Sequence, residues 1–317
     1  MTIPDYNDIL AARANIAGKV HETPVVSSSG INDITGSRLF FKCENFQKAG
    51  AFKFRGATNA VSQLSREELS KGVCTHSSGN HAQALSLAAR EAGAKAYIVM
   101  PETAPKIKVN AVRAYGGNIF FCKPTLEARE ERLAEVQKET GAAFIHPYDN
   151  PQVIAGQGTA ALELLTGHPG LDIIMAPVGG GGLMSGTSIT AKHLQPEITI
   201  LGAEPVKADD AQRSFHSGRL IPSVNPDTLA DGLLTSLSQR TFRIISDNVR
   251  DILTCPEENI ILAMKLIYER LKIVVEPSGA VPLAVVLSHM DVFRNKRTGL
   301  IISGGNLDLS AFDFSDF

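Results

Sequence analysis

The amino-acid sequence predicts an α/β protein with two lobes, each a parallel sheet flanked by helices. Short apolar runs rich in Val, Ile and Phe alternate along the chain with segments of helical spacing. Such alternation is typical of parallel sheets covered by helices on both faces. The 317 residues also exceed the ~250 to 300 that one hydrophobic core usually organises. We therefore expect a ligand cleft beyond the carboxyl ends of the strands.

Eight apolar runs are predicted strands because each is short and ends in polar or turn-forming residues. They are RLFFKCE (38–44), GVCTHS (72–77), KAYIVM (95–100), NIFFC (118–122), DIIMAPV (172–178), ITILGAE (198–204), RDILTC (250–255) and GLIIS (299–303). Four segments between them have helical spacing, at residues 80–93, 105–117, 125–141 and 256–271. Strands and helices therefore alternate over most of the chain.

Composition and charge exclude several classes of protein. The chain is 44% hydrophobic and 20% charged with a mean hydropathy of +0.01, which excludes disordered, collagen-like and coiled-coil proteins. With 31 basic and 33 acidic residues the net charge is -2, so we expect no nucleic-acid or membrane partner. No apolar stretch approaches the ~20 residues that span a bilayer. The four cysteines are far apart without a CxxC pair, so neither a zinc site nor a disulfide framework is indicated. A protein of the reducing cytoplasm fits this pattern best.

The segment FQKAGAFKFRGATNA (46–60) places Lys53 between two phenylalanines. A lysine held among aromatic rings is partly desolvated, which lowers its pKa and makes the neutral amine available for imine or proton-transfer chemistry. The alternative is a surface lysine whose stem covers apolar neighbours.

Two further segments carry polar residues or glycines from a strand into a helix. THSSGNHAQALSLAA (75–89) has cap-forming side chains at a helix start, where free N–H groups bind carboxylate or phosphate. Simple capping explains it equally, and a Ser78–His81 nucleophile pair would lack the GxSxG elbow. In DIIMAPVGGGGLMSGTSITA (172–191) four glycines precede a helix and predict a phosphate cup. A dinucleotide fold is the competitor, although GxGxxG matches in no frame.

Two weaker motifs lie nearer the end of the chain. LGAEPVKADDAQRS (201–214) carries carboxylates that could hold a hard cation, or that simply form a solvated acidic loop. LIISGGNLDLS (300–310) has a Ser-Gly-Gly-Asn turn after a strand.

In this order the five segments resemble the fold-type-II pyridoxal phosphate enzymes, whose fold is that of tryptophan synthase beta. They are most similar to the serine racemase and serine/threonine dehydratase family, including the threo-3-hydroxyaspartate dehydratases. The resemblance runs from HETPVVSSSGIN (21–32) to SGGNLDL (303–309). It implies a discontinuous large cofactor-binding domain, residues 1–71 and 150–317, and a small substrate-gripping domain, residues 72–149.

The resemblance also implies roles for the cofactor-binding residues. Lys53 bonds covalently to the pyridoxal phosphate aldehyde, Phe52 packs near the pyridine ring, and Asn80 hydrogen-bonds the phenolic oxygen. The Ser303 hydroxyl faces the pyridine nitrogen. The phosphate cup is formed by Gly179, Gly180, Gly181, Gly182 and Leu183.

For the substrate, the resemblance implies that Ser77, Ser78 and His81 grip the carboxylate of a small amino acid. Lys53 and Ser78 then act as bases on opposite faces of the cofactor, which implies a serine racemase that also eliminates the β-hydroxyl of L-serine to give pyruvate and ammonia. Arg129 swings toward the substrate. A cation there would accept a second carboxylate, so the alternative is a dehydratase acting mainly on L-threo-3-hydroxyaspartate or L-threonine.

Three further expectations come from the resemblance alone. Glu204, the Ala208 carbonyl and Asp210 bind Mg²⁺, Ca²⁺ or Mn²⁺. The enzyme is a homodimer, and ATP acts as an effector between subunits near Ser29, Lys48 and Lys272. One departure concerns a cofactor neighbour, because Tyr148 stands where vertebrate racemases carry an asparagine.

Overall fold

Two separate sheets organise the computed structural model, which describes residues 1–308. Within that range the ten strands are β1 (Val25–Val26), β2 (Arg38–Cys43), β3 (Val73–His76), β4 (Ala96–Pro101), β5 (Gly117–Cys122), β6 (Ala143–Phe144), β7 (Ile173–Pro177), β8 (Thr199–Pro205), β9 (Asp251–Cys255) and β10 (Arg297–Ile302). All eight predicted strands are confirmed, with ends within two residues of those expected. The two additional strands, β1 and β6, have two residues each and are too short for a periodic signal.

The larger sheet has the strand order β1-β2-β10-β7-β8-β9 and the smaller one β5-β4-β3-β6. Every neighbouring pair is parallel except β1 with β2, which run antiparallel at the edge of the larger sheet. The expectation of parallel sheets is therefore confirmed, with that one exception. The smaller sheet comes from one continuous stretch, whereas strands of the larger sheet come from both sides of it.

Helices cover both sheets and connect most of the parallel strands. Those within the described range are α1 (Tyr6–Ile16), α2 (Ser29–Thr35), α3 (Lys53–Ser62), α4 (Arg66–Lys71), α5 (Asn80–Glu91), α6 (Lys106–Ala114), α7 (Leu126–Thr140), α8 (Pro151–Gly167), α9 (Gly182–Leu194), α10 (Asp210–Ser217), α11 (Gln239–Asn248), α12 (Glu257–Leu266), α13 (Pro277–Ser288) and α14 (Met290–Phe293). All four predicted helices are confirmed, and the last continues beyond α12 as a π-helical turn, Ile267–Leu271.

Three of these helices, α3, α8 and α9, cross with their backbones almost in contact. A Cβ atom on Gly156 of α8 would lie 2.6 Å from the Cα of Gly56 in α3. A Cβ on Gly186 of α9 would lie 2.5 Å from the backbone nitrogen of Gly158 in α8. Since real Cβ atoms do not approach so closely, these glycines fix the helices against one another. The start of α3, which carries Lys53, is thereby held against α8.

No helix within residues 1–308 is long and apolar enough to cross a membrane. All four cysteines are buried and free.

Candidate active site

A cavity of about 230 Å³ lies where β3, β7 and β10 end and is lined by residues from both sheets and their helices. The residues that the sequence analysis assigned to cofactor and substrate all line it: Phe52, Lys53, Ser77, Ser78, Asn80, His81, Arg129, Gly179, Gly180, Gly181, Gly182, Leu183 and Ser303. These residues come from five separate segments of the chain. The fold thus brings distant motifs together at one cavity.

Lys53 is the first residue of α3 and is half-buried in the cavity wall. Its Nζ donates a hydrogen bond to the carbonyl of Pro147 at 2.9 Å and lies 5.1 Å from the centre of the Phe52 ring. Burial lowers the pKa of this amine to about 8, and the negative charge of Glu276 opposes the shift. Lys53 is therefore not a freely solvated surface lysine, and more of its amine is neutral near pH 7 than for a solvated lysine.

The start of α5 presents free backbone N–H groups to the cavity. Gly79 occupies the N-cap position, and within the described residues no side chain caps the helix. The Ser77 hydroxyl instead accepts a hydrogen bond from the Gly79 N–H at 3.3 Å. Capping is therefore the wrong explanation for the polar residues of this segment. An uncapped helix start flanked by hydroxyls can bind a carboxylate.

His81, one residue into α5, is a neutral imidazole. Its Nε2–H can donate to the carbonyl of Ile145 at 3.0 Å, which leaves Nδ1 as an acceptor. Nδ1 is buried and has no hydrogen-bond partner within the part of the chain that is described. Burial lowers the pKa of His81 to about 3, and the nearby charge of Lys53 adds to the shift. No hydrogen bond links Ser78 to His81 among those residues, which removes support for a hydrolase.

The four glycines form a cradle at the start of α9. Gly181 adopts the left-handed conformation with φ of 82°, and again no side chain of the described residues caps the helix. Tyr148 covers the cradle so closely that a Cβ atom on Gly180 would lie 2.3 Å from its Cδ1. Only glycine fits at this position beneath the ring. The geometry suits a phosphate bound by backbone N–H groups.

Glu276 is a site residue that the sequence analysis missed. It is 4% exposed and accepts hydrogen bonds from the Asn80 Nδ2 at 2.8 and 3.1 Å. The Asn80 Oδ1 in turn accepts from the Asn306 Nδ2 at 2.9 Å, so the orientation of the Asn80 amide is fixed on both sides. A Cβ on Gly304 would lie 2.4 Å from the Glu276 Oε1, so the Ser-Gly-Gly turn makes room for the carboxylate. The sequence did offer one signal for Glu276, since it is an acidic residue directly before the long apolar helix α13.

The model of one protein family, described as "Pyridoxal-phosphate dependent enzyme", matches residues 16–304. The chain belongs to this family.

Relatives of this pyridoxal-phosphate-dependent enzyme span nearly its whole length. It is 52% identical to the beta-hydroxyaspartate dehydratase of Paracoccus denitrificans over 98% of each chain. It is 51% identical to the serine racemase of Dictyostelium discoideum, over 98% of this chain and 97% of that one. The solved structure of maize serine racemase superposes with a TM-score of 0.95 at 46% identity, covering 98% of this chain and 96% of that one.

The cavity fits pyridoxal phosphate on its own geometry. The glycine cradle at α9 is shaped for the phosphate, Lys53 is a partly desolvated amine for the aldehyde, and Asn80 and Ser303 are polar groups around the space between them. Ser303 is 2% exposed, and its carbonyl accepts a hydrogen bond from the Phe52 N–H at 3.0 Å. The end of β10 is thereby hydrogen-bonded directly to the residue before α3.

The residues expected to bind a cation in this enzyme lie at the end of β8, away from the cavity wall. Glu204 and Asp210 are each 1% exposed, so a solvated acidic loop is the wrong description. Burial raises the pKa of Asp210 to about 6 and that of Glu204 well above its ordinary value. Within residues 1–308 neither carboxylate oxygen of Asp210 makes a hydrogen bond of good geometry, although the nearby Ser223 hydroxyl opposes the rise in its pKa, and no three His, Cys, Asp or Glu side chains cluster as metal ligands. Two buried carboxylates without a cation are expensive, so the pair fits a hard cation.

The residues expected near a nucleotide do not line the cavity. Ser29 begins α2, Lys48 pairs with Glu91 at 2.9 Å, and Lys272 ends the π-helical turn in the left-handed conformation. Ser29 and Lys272 approach one surface, because a Cβ on neighbouring Gly30 would lie 3.7 Å from the Arg270 side chain.

An ion pair between Lys108 and Asp231, both of which line the cavity, joins α6 of the smaller sheet to the loop before α11. The sequence analysis missed this pair because its members are 123 residues apart.

We expect Glu276→Gln to change how stability depends on pH. Burial raises the pKa of Glu276 from 4.5 to about 7, and the hydrogen bond from Asn80 opposes this rise. The negative charge of Asp231 raises the pKa further, whereas the positive charge of Lys108 lowers it. Between those values the native protein binds more protons than the unfolded chain, so this carboxyl makes stability fall as pH rises. The variant should gain stability relative to the parent by up to ~3 kcal/mol as pH rises from 4.5 to 7. Denaturant unfolding at several pH values measures this, with exposed Glu139→Gln as control. A pH-independent difference would contradict it.

Proposed function

We propose that this enzyme interconverts L- and D-serine and also eliminates the β-hydroxyl of L-serine, which yields pyruvate and ammonia. The observation that carries the proposal is that Lys53 and Ser78 line one cavity with the glycine cradle. Similarity to a serine racemase and a dehydratase over nearly the full chain supports it.

The chain's own groups divide the work between binding and proton transfer. When bound, pyridoxal phosphate supplies the electron sink that makes the α-proton of the amino acid acidic. Lys53, whose pKa is about 8, removes the α-proton of L-serine on one face. The Ser78 hydroxyl returns a proton on the opposite face to give D-serine. If the β-hydroxyl leaves before that proton returns, the outcome is elimination.

The substrate carboxylate binds at the start of α5. Its ligands are the free N–H groups after Gly79 and the hydroxyls of Ser77 and Ser78, which line the cavity. The imidazole of His81 stays neutral and offers Nδ1 as an acceptor beside them.

One observation favours a second candidate, a dehydratase acting on L-threo-3-hydroxyaspartate. Arg129 lines the cavity from α7, and its buried Nε has no hydrogen-bond partner among the residues described. A partly buried guanidinium with a free donor fits a second substrate carboxylate. The beta-hydroxyaspartate dehydratase relative supports this candidate, and L-threonine remains a third substrate to compare.

The deciding experiment compares kcat/KM for L-serine, L-threonine and L-threo-3-hydroxyaspartate, with assays of keto acid and of product chirality. A serine preference with a high yield of D-serine supports the racemase. A strong hydroxyaspartate preference with little D-serine formed would replace it with the dehydratase.

We expect Arg129→Met to discriminate between the substrates. Loss of a charge-assisted hydrogen bond of about 1.5 to 3 kcal/mol should lower kcat/KM for L-threo-3-hydroxyaspartate about 10- to 100-fold. L-Serine has no second carboxylate and should be far less affected. Arg132→Met, one turn further along α7 and paired with Glu135, is the control. Equal losses for both substrates would contradict a role in binding the second carboxylate.

We further propose that Glu204, the Ala208 carbonyl and Asp210 hold Mg²⁺, Ca²⁺ or Mn²⁺. Chelation should lower the melting temperature of the parent, and adding Mg²⁺ should restore it, because the ion neutralises buried charge. Glu204→Gln should abolish that response. Asp209→Asn provides the control, since Asp209 pairs with Arg213. A melting temperature unchanged by chelation would refute the metal site.

The oligomeric state, the effector site, the location in the cell and the domain boundaries are also proposals. We propose a homodimer with ATP as an effector near Ser29, Lys48 and Lys272, supported by exposed Tyr268 and Val274 beside this surface. We propose a cytoplasmic enzyme, supported by the four free cysteines. Residues 72–149 form the small substrate-gripping domain, and residues 1–71 with 150–317 form the large one, of which residues 309–317 lie outside the described range.

A further inference from the structure

Among residues 1–308, a group of buried charges lies behind the cavity rather than in it. Arg55 and Glu44 are both 0% exposed, and Lys42 is 1% exposed. Glu163 of α8 completes the set, with its side chain 12% exposed. Two cations and two carboxylates balance, so the group carries no net charge. We call these four residues the Arg55 cluster.

Every donor of the Arg55 guanidinium is used. Two bonds join it to Glu44, at 2.7 and 2.8 Å, and two join it to Glu163, at 2.6 and 2.8 Å. Further contacts reach the Thr159 hydroxyl at 3.2 Å and the His21 carbonyl at 3.3 Å. The guanidinium therefore forms two carboxylate forks at once, a geometry that a lysine ammonium cannot reproduce.

The cluster acts on the first turn of α3. Lys53 and Arg55 are two residues apart, so they point about 200° apart around the helix axis. One side chain faces the cavity while the other faces the cluster. Arg55 is fixed to Glu44, just after β2, and to Glu163 of α8. These bonds therefore set the rotation of α3 about its axis and the direction in which Lys53 points.

Other contacts also hold this turn, among them the hydrogen bond from the Phe52 N–H to the Ser303 carbonyl at 3.0 Å, but only Arg55 anchors it through a side chain with several charge-assisted bonds. Phe52, at the N-cap, makes no side-chain capping bond. The Gly56 N–H donates to the Gln157 Oε1 at 3.2 Å, and Gly56 packs directly on Gly156. These contacts fix the distance between α3 and α8.

We infer that Arg55 is a positioning residue that aims the Lys53 amine at its reaction partner. The inference rests on the proposed role of Lys53. Removing two charges from water is costly, and a buried ionic cluster is weak evidence for stability alone. The cluster instead fixes an orientation, because a guanidinium bound to two carboxylates holds the start of α3 in one position.

The test compares Arg55→Lys with Lys42→Met. Lys42 belongs to the same cluster, bonding Glu163 at 2.5 Å and the Thr23 carbonyl at 2.6 Å, but it lies on β2 and does not touch α3. Both variants should lower the melting temperature. Only Arg55→Lys should also shift the pH titration of the visible absorption band of the Lys53–cofactor bond. It should lower kcat by about 10- to 100-fold while KM changes little.

An Arg55→Lys variant with a lower melting temperature but the parent's titration and kcat would overturn the inference. So would an equal change of titration in Lys42→Met. If Arg55→Lys does not fold, Glu163→Gln, which keeps the side-chain shape and the fork to Glu44, is judged by the same criteria. A parent protein whose cofactor cannot be fixed to Lys53 by borohydride would instead overturn the role of Lys53, and this inference with it.

Discussion

Lys53→Ala is expected to lower kcat for both racemisation and elimination at least ~10³-fold, because in the proposed function this one residue supplies both the covalent attachment and a catalytic base. The glycine cradle and Asn80 remain in the variant, so it should still bind pyridoxal phosphate, without the band of a lysine bond. Absorption spectra before and after borohydride, with mass analysis of the reduced protein, separate binding from attachment.

Lys71→Ala is the matched control, since Lys71 is exposed and pairs with Glu67 on α4. It should behave as the parent. Residual racemisation by Lys53→Ala above a hundredth of the parent rate would show that another group acts as the base on that face.

Ser78→Ala is expected to abolish conversion of L-serine to D-serine while sparing kcat for elimination from L-serine, with KM raised in both reactions because the hydroxyl is also a proposed carboxylate ligand. The α-proton of the L-form is removed by Lys53, so elimination needs no base on the other face. General acid–base groups typically contribute 10² to 10⁴-fold, so racemisation should fall by about that factor. D-Serine formation by chiral chromatography and pyruvate by a coupled assay measure the two reactions in one reaction mixture.

Ser77→Ala is the natural comparison because Ser77 lines the same cavity and interacts with the Gly79 N–H. It should raise KM in both reactions together without changing their ratio. Retained racemisation in Ser78→Ala would eliminate the two-base assignment.

Much of this fold was predictable because eight of its ten described strands are apolar runs of four to seven residues and its long helices are periodic. Such signals are local. The antiparallel edge strand β1 was missed because two residues carry no period, and its direction depends on its pairing with β2. The π-helical turn after α12 was also missed, because the apolar pattern predicts helix for the whole segment and does not distinguish a π-helix from an α-helix.

The cavity residues were found where a motif marks a strand end or a helix start, as with Lys53 and the glycine cradle. The pair Lys108–Asp231 was missed because no local pattern marks it, and Glu276 was missed because its position before an apolar helix does not reveal that it faces Asn80. Each matters through a partner far away in sequence. Tyr148 was noticed as a departure, but its close contact with Gly180 emerged from the packing. Sequence patterns thus indicate candidate ligands, whereas charge partners require the folded chain.

The origin of the smaller sheet in one unbroken stretch, β3 to β6, has a genetic consequence. The residues proposed to bind the substrate carboxylate, and Arg129, lie in a single coding segment, whereas Lys53, the glycine cradle and Ser303 lie outside it. One recombination event with a relative can therefore exchange the proposed substrate contacts together, provided that Asn80, the one proposed cofactor contact inside this stretch, is retained. New specificities in this family can arise by inheritance of whole segments as well as by point mutation.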